Sequence, residues 1–144
     1  MLFCDYLIEN KINVLDQNFP ESHLIKDYSR FYNKNIYTIL DYLLFYKKPT
    51  NKIIEIIQTT PIFNYLSIDD SYSYLVKIII NNYGPQLLIF WIKNMANFDY
   101  NKIIKVSFFQ LYSIKNDIQP FHKYFHQNLN VHLNENYDTQ KTYV

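Results

Sequence analysis

"LFCDYLIENKINVLD", residues 2–16, decides how this chain is read. Two apolar segments flank the polar "ENK" at 9–11, and Ile12 and Val14 alternate with Asn13. Period-two alternation on either side of a polar break is the mark of a β-hairpin. Asn10 would take the positive φ that the turn requires. A sheet at the N-terminus makes the chain α+β, although the remainder of the sequence is mainly helical.

Downstream, Pro20 or Glu21 opens a short helix to about Lys26, since proline suits a first helical turn. "DYSRFY", 27–32, fits a short strand. Asn33 then offers an N-cap, and Ile36, Ile39, Leu40, Leu43 and Leu44 recur at helical spacing up to Lys48 and Pro49. Thr50 begins the next helix, and Pro61 ends or restarts it. Asp69, Asp70 and Ser71 cap a helix through Ile80, with Gly84 at its αL C-terminal position. Further helices are expected at 86–95, 101–114 and about 118–129, then a flexible tail.

Composition narrows the function. The 144 residues carry a formal net charge of +1, with 49% hydrophobic and 19% aromatic residues. A phosphate-binding surface would show a basic excess, and Arg30 is the single arginine, so nucleic acid is not an expected partner. One glycine in the chain leaves nothing with which to build a nucleotide loop. Cys4, the single cysteine, reads as a small buried hydrophobe and excludes an intrachain disulfide. The longest apolar run, "LLIFWI" at 87–92, is far below the roughly 20 residues of a membrane span. With no basic run before an apolar segment, a cytoplasmic protein is expected. The Ile, Asn, Lys and Tyr bias reflects AT-rich codons, as in some parasite and large-virus genomes.

No catalytic or cofactor constellation emerges. His122 and His126 stand four apart on one helix face, the spacing of two metal ligands, with His132 the possible third. No glutamate separates them, and a surface helix is the plainer reading, so no metal site is assigned. Asp69 and Asp70 read as a cap rather than an acid–base pair. An enzyme is therefore not expected. The aromatic residues carry the remaining signal, because large rigid rings dominate interaction hot spots. Tyr32, Phe45 and Tyr46 are the candidate exposed anchors. Phe90 and Trp91 are added because adjacent helical residues point about 100° apart, beyond one narrow core stripe.

"NFPESHLIK" at 18–26 and "YNKNIYTILDYL" at 32–43, following a hairpin, resemble the BTB/POZ fold in its potassium-channel tetramerisation branch. Phe19, Pro20, Ser22 and Leu24 match the first motif; Asn33, Ile39, Leu40, Tyr42 and Leu43 match the second, with Ile36 in place of the usual Phe. "IFNYLSIDDSYSYLVKIII", 62–80, runs like the family's next segment. The resemblance implies a small sheet flanked by helices at 1–82, a helical extension at 83–130 and a tail from 131. It also implies homo-oligomerisation or recruitment of a partner such as a cullin-type ubiquitin ligase scaffold. The paired glycines after the first strand and the zinc ligands of some channel domains have no counterparts here. A second stretch, "INNYGPQLLIFWI" at 80–92, resembles the start of the central hairpin in Bcl-type apoptosis regulators, including viral ones. That alternative implies an all-α bundle binding amphipathic death-motif helices near Tyr83–Trp91.

Overall fold

The computed structural model describes residues 2–16 and 38–132, with side chains to Asn128. They form seven α-helices: α1 Phe3–Glu9, α2 Ile39–Phe45, α3 Thr50–Thr59, α4 Ile68–Ile80, α5 Pro85–Asn94, α6 Ser107–Lys115 and α7 Gln119–His132. Two 3-10 turns, Ile62–Asn64 and Tyr100–Lys105, complete the elements, and no strand occurs among the described residues. The chain divides into two compact units, Met1–Tyr65 and Leu66–Val144.

The first unit corrects the hairpin expectation. Residues 3–9 are a helix. Phe3, Cys4 and Leu7, at i, i+1 and i+4, are buried on one face of α1, which packs on α3 with its own buried Ile53, Ile56 and Ile57. The alternation at 12–14 covers only two apolar residues, and an isolated two-stranded hairpin is marginal in water. Lys11, not Asn10, takes the positive φ of 49° just after the helix. No sheet for an α+β class is shown among the described residues, and the BTB/POZ resemblance is thereby overturned. Tetramerisation and cullin recruitment lose the support they drew from it. The motif positions Phe19 to Leu24 and Asn33, Ile36 lie outside the described residues. The mainly helical reading stands.

Helix α2 starts at a capping box. Thr38 Oγ1 accepts from the Asp41 N–H at 3.1 Å, and the Asp41 carboxylate accepts from the Thr38 N–H at 3.0 Å. The cap is therefore Thr38 rather than Asn33. The preceding segment supplies two more acceptors, Asp16 O for Ile39 N–H and Val14 O for Leu40 N–H, at 3.1 and 2.8 Å. The first orphan donors of α2 are thus satisfied without water. Pro49 precedes α3, and Pro61 comes after its end at Thr59, as the proline spacing implied.

In the second unit, Ser67 Oγ caps α4 by accepting from the Asp70 N–H, while Asp69 and Asp70 occupy its first turn. The cap thus lies four residues before the expected Ser71. The helix ends with Asn82 at a φ of 61°; Gly84 has a φ of −73° and is instead the N-cap of α5, followed by Pro85. Asparagine tolerates the left-handed region well enough to make glycine unnecessary there. The stretch expected as one helix over 101–114 is a 3-10 turn and then α6, broken at Val106. Helix α4 packs against α5, α6 and the 3-10 turn 100–105.

Candidate functional site

The second unit builds its interior from aromatic rings whose polar tips are tied down. Trp91 is fully buried and its Nε1–H donates to the Ser71 carbonyl at 2.9 Å. The Asp99 N–H donates to the Tyr72 hydroxyl oxygen at 2.8 Å, and the Tyr124 hydroxyl donates to the Tyr83 carbonyl at 2.8 Å. Buried indoles and phenols normally find such partners, because an unpaired polar tip is costly. Burial pushes the Tyr72 and Tyr124 phenols up from their ordinary values, keeping both neutral at physiological pH.

The Tyr124–Tyr83 bond joins α7 to the turn between α4 and α5, and a cleft of about 380 Å³ opens beside it. Ile79, Ile80, Pro120 and Phe121 give it apolar walls; Tyr83, Tyr112 and Tyr124 line it with phenol rings, and Asn82 and Gly84 stand at the turn. A side chain at Gly84 would meet no atom within 4 Å, so that side of the cleft is open space. Among the described residues within one turn of this lining, the charged side chains are Lys77, Lys115, Lys123 and Asp117. The Asp117 carboxylate already accepts from the Gln119 N–H at 3.1 Å. The Lys77 ammonium lies 4.8 Å over the Tyr74 ring and 5.0 Å over the Phe108 ring. None of these four is among the residues that line the cleft.

The sequence candidates fall in different places. Tyr32 lies outside the described residues. Phe45 is 47% exposed at the end of α2, edge-on to the half-buried Tyr46 at 5.0 Å. Tyr46 in turn leans on Tyr42, whose ring meets Phe3 edge-to-face at 5.6 Å. Phe90 is half-buried, whereas Trp91 fills the interior of its own unit and offers nothing at the surface. Cys4 is buried, and burial raises its thiol pKa, so it sits as the expected small apolar group.

What sequence reasoning missed is the gathering around His122. The Tyr100 hydroxyl is hydrogen-bonded to His122 Nδ1, and the Tyr100 ring lies 5.0 Å from that of His126. Burial pushes the Tyr100 phenol up to about 12. The phenol is therefore neutral, and the His122 tautomer decides which of the two groups donates. Burial, and to a lesser degree the nearby His126, lower the His122 pKa. Tyr100 is 22 residues from His122, and no local signal announces that contact. The side chain of His132 lies outside the described residues, and no group of three His, Cys, Asp or Glu occurs among those described.

No helix among the described residues is long and apolar enough to cross a membrane. Comparison with protein-family models, curated proteins and solved structures finds no match to this chain.

Proposed function

We propose that the chain is a protein–protein interaction module whose second unit accepts an amphipathic helix of a partner protein in the cleft beside Tyr83. One observation carries this reading: an open, largely apolar cleft floored by side chains from three helices and a turn. A helix presents apolar anchors at i, i+3, i+4 and i+7, and a groove of this kind takes a few of them. The occupant that fits is the apolar face of an amphipathic helix. The Tyr83, Tyr112 and Tyr124 rings supply rigid contact area at low entropic cost.

The death-motif regulator is a second reading supported by one specific feature, the position of the cleft at Tyr83–Gly84, where the alternative resemblance placed a peptide groove. It implies the same kind of occupant and differs only in the partner's identity.

The test uses Gly84→Trp, at a lining position where an added Cβ meets no atom within 4 Å. A fluorescent amphipathic helical peptide and a scrambled peptide of the same composition, without the apolar stripe, are titrated into both proteins. The amphipathic peptide should bind at micromolar concentration, the scrambled one more weakly, and Gly84→Trp should reduce binding while leaving the circular dichroism unchanged. Equal binding to the variant, or no binding of either peptide, overturns the cleft as the docking site. Light scattering on the same samples reports whether a second copy of the chain takes that place instead.

A further inference from the structure

Tyr100, His122 and His126 bring three ligating side chains to one point of the second unit. Tyr100 stands on the 3-10 turn between α5 and α6, and the two histidines stand one turn apart on α7. The ring centres are 5.8 Å apart for Tyr100 and His122, 5.0 Å for Tyr100 and His126, and 6.5 Å for the two histidines. With metal–nitrogen bonds of about 2 Å at the right angles that copper prefers, two neighbouring imidazoles on one ion place their ring centres roughly 4.5 Å apart. The histidine pair, 6.5 Å apart, has to close by about 2 Å to reach that separation. The Tyr100 oxygen and His122 Nδ1 already converge on one another through a shared proton.

We infer that Tyr100, His122 and His126 form a binding site for one divalent transition-metal ion, with Cu²⁺ preferred to Zn²⁺. Two imidazoles and a phenolate are borderline N,N,O donors, which suit copper and zinc rather than magnesium or calcium, and copper stands above zinc in the affinity order of divalent ions. On binding, the ion takes the place of the proton between Tyr100 and His122. The Tyr100 O–H bond breaks, an oxygen–metal bond forms, and the proton leaves to solvent. The two ligand atoms then move apart to roughly 2.8 Å, the separation of neighbouring ligands on a square-planar copper ion. The edges and faces of Phe109, Phe121 and Phe125 shield one side of this cluster. This site is independent of the helix-docking cleft proposed above.

The experiment titrates Cu²⁺ alone into the full chain, reading affinity by calorimetry, proton release by repeating the titration in buffers of different ionisation enthalpy, and the visible spectrum. One ion per chain is expected, with one proton released near pH 8 and a phenolate-to-copper charge-transfer band. Tyr100→Phe should keep weaker binding through the histidines but lose both the band and the released proton. His126→Gln, at a half-exposed position, should weaken binding roughly 100-fold or more, since even outer-shell partners of a metal site are worth 10–100-fold. Wild-type affinity in His122→Gln/His126→Gln would overturn the site, as would a folded wild type that takes up no Cu²⁺. A band and proton release that persist in Tyr100→Phe would remove the tyrosine from it.

Discussion

The two units bury different kinds of interior. In the first, the buried side chains are aliphatic almost throughout: Leu7, Val14, Ile39, Leu40, Leu43, Leu44, Ile53, Ile56, Ile57 and Ile62. Their helices are held at the ends by backbone and capping bonds, at Thr38, Asp41 and Val14. In the second, Tyr72, Tyr74, Tyr83, Trp91, Phe98, Tyr100, Phe109, Phe121 and Phe125 are buried beside aliphatic side chains such as Leu75, Ile78 and Leu87, and the polar tips of several rings are bonded across the interior. An aliphatic core fixes shape and carries no chemistry. A core of polar-tipped rings fixes shape and also leaves phenols, an indole and imidazoles at defined places. That contrast explains why both the cleft and the histidine cluster lie in the second unit.

The contrast is broken most forcefully by large-to-small substitution. Trp91→Ala should destabilise by about 4 kcal/mol, since it removes a fully buried ring together with its Nε1–H bond to the Ser71 carbonyl. Leu43→Ala in the aliphatic interior should cost about 3 kcal/mol, from transfer and cavity terms alone. Urea unfolding followed by circular dichroism measures both, and a larger loss for Leu43→Ala would contradict the added weight given to the bonded ring.

A smaller effect sharpens the comparison at the helix ends. Thr38→Ala removes one half of the α2 capping box and should cost about 1 kcal/mol, with Thr38→Ser close to wild type. Equal stability of all three would mean that the backbone bonds from Val14 and Asp16 alone hold that terminus.

The smallest expected effect is a pH dependence that belongs to the second unit. His122 titrates below its ordinary value in the folded chain, so its contribution is fully present above pH 6.5 and is lost as pH falls below that. Tyr100 titrates near 12 against an ordinary 10, so its contribution is present below pH 10 and is lost as pH rises towards 12. Stability from these two groups therefore has a plateau between the two limits, and Tyr100→Phe with His122→Gln should flatten both edges in thermal unfolding scans. Edges of unchanged steepness in that double variant would assign the dependence to other groups.

Several features are legible in the order of residues. The isoleucines of α3, the break at Pro61, the acidic first turn of α4 and the extents of α5 and α7 come from local spacing and caps. The scarcity of glycine also points to helices. The N-terminal segment misleads because "FCDYLIE" and "INV" satisfy both periods over so few residues, and short apolar runs do not distinguish them. Only the packing of Phe3, Cys4 and Leu7 on α3 decides for the helix, with Asp5 reaching Lys52 at 2.9 Å across that contact. Adjacency to Phe90 makes Trp91 a candidate partner contact, since one narrow stripe does not hold both rings. Helix α5 instead buries Trp91 wholly and Phe90 in part.

Taken alone, the sequence determined that this chain is mainly helical, where most of its helices stop, and that it carries many more rings than cationic or glycine-rich binding features. Those properties depend on neighbours a few residues apart, and a few residues are enough to state them. Tertiary structure decided that the first residues make a helix, that Tyr83 and Tyr124 border a cleft, and that Tyr100 meets His122 and His126. Each of these joins groups from separate elements, and such a meeting is settled by how whole helix faces pack rather than by any local pattern.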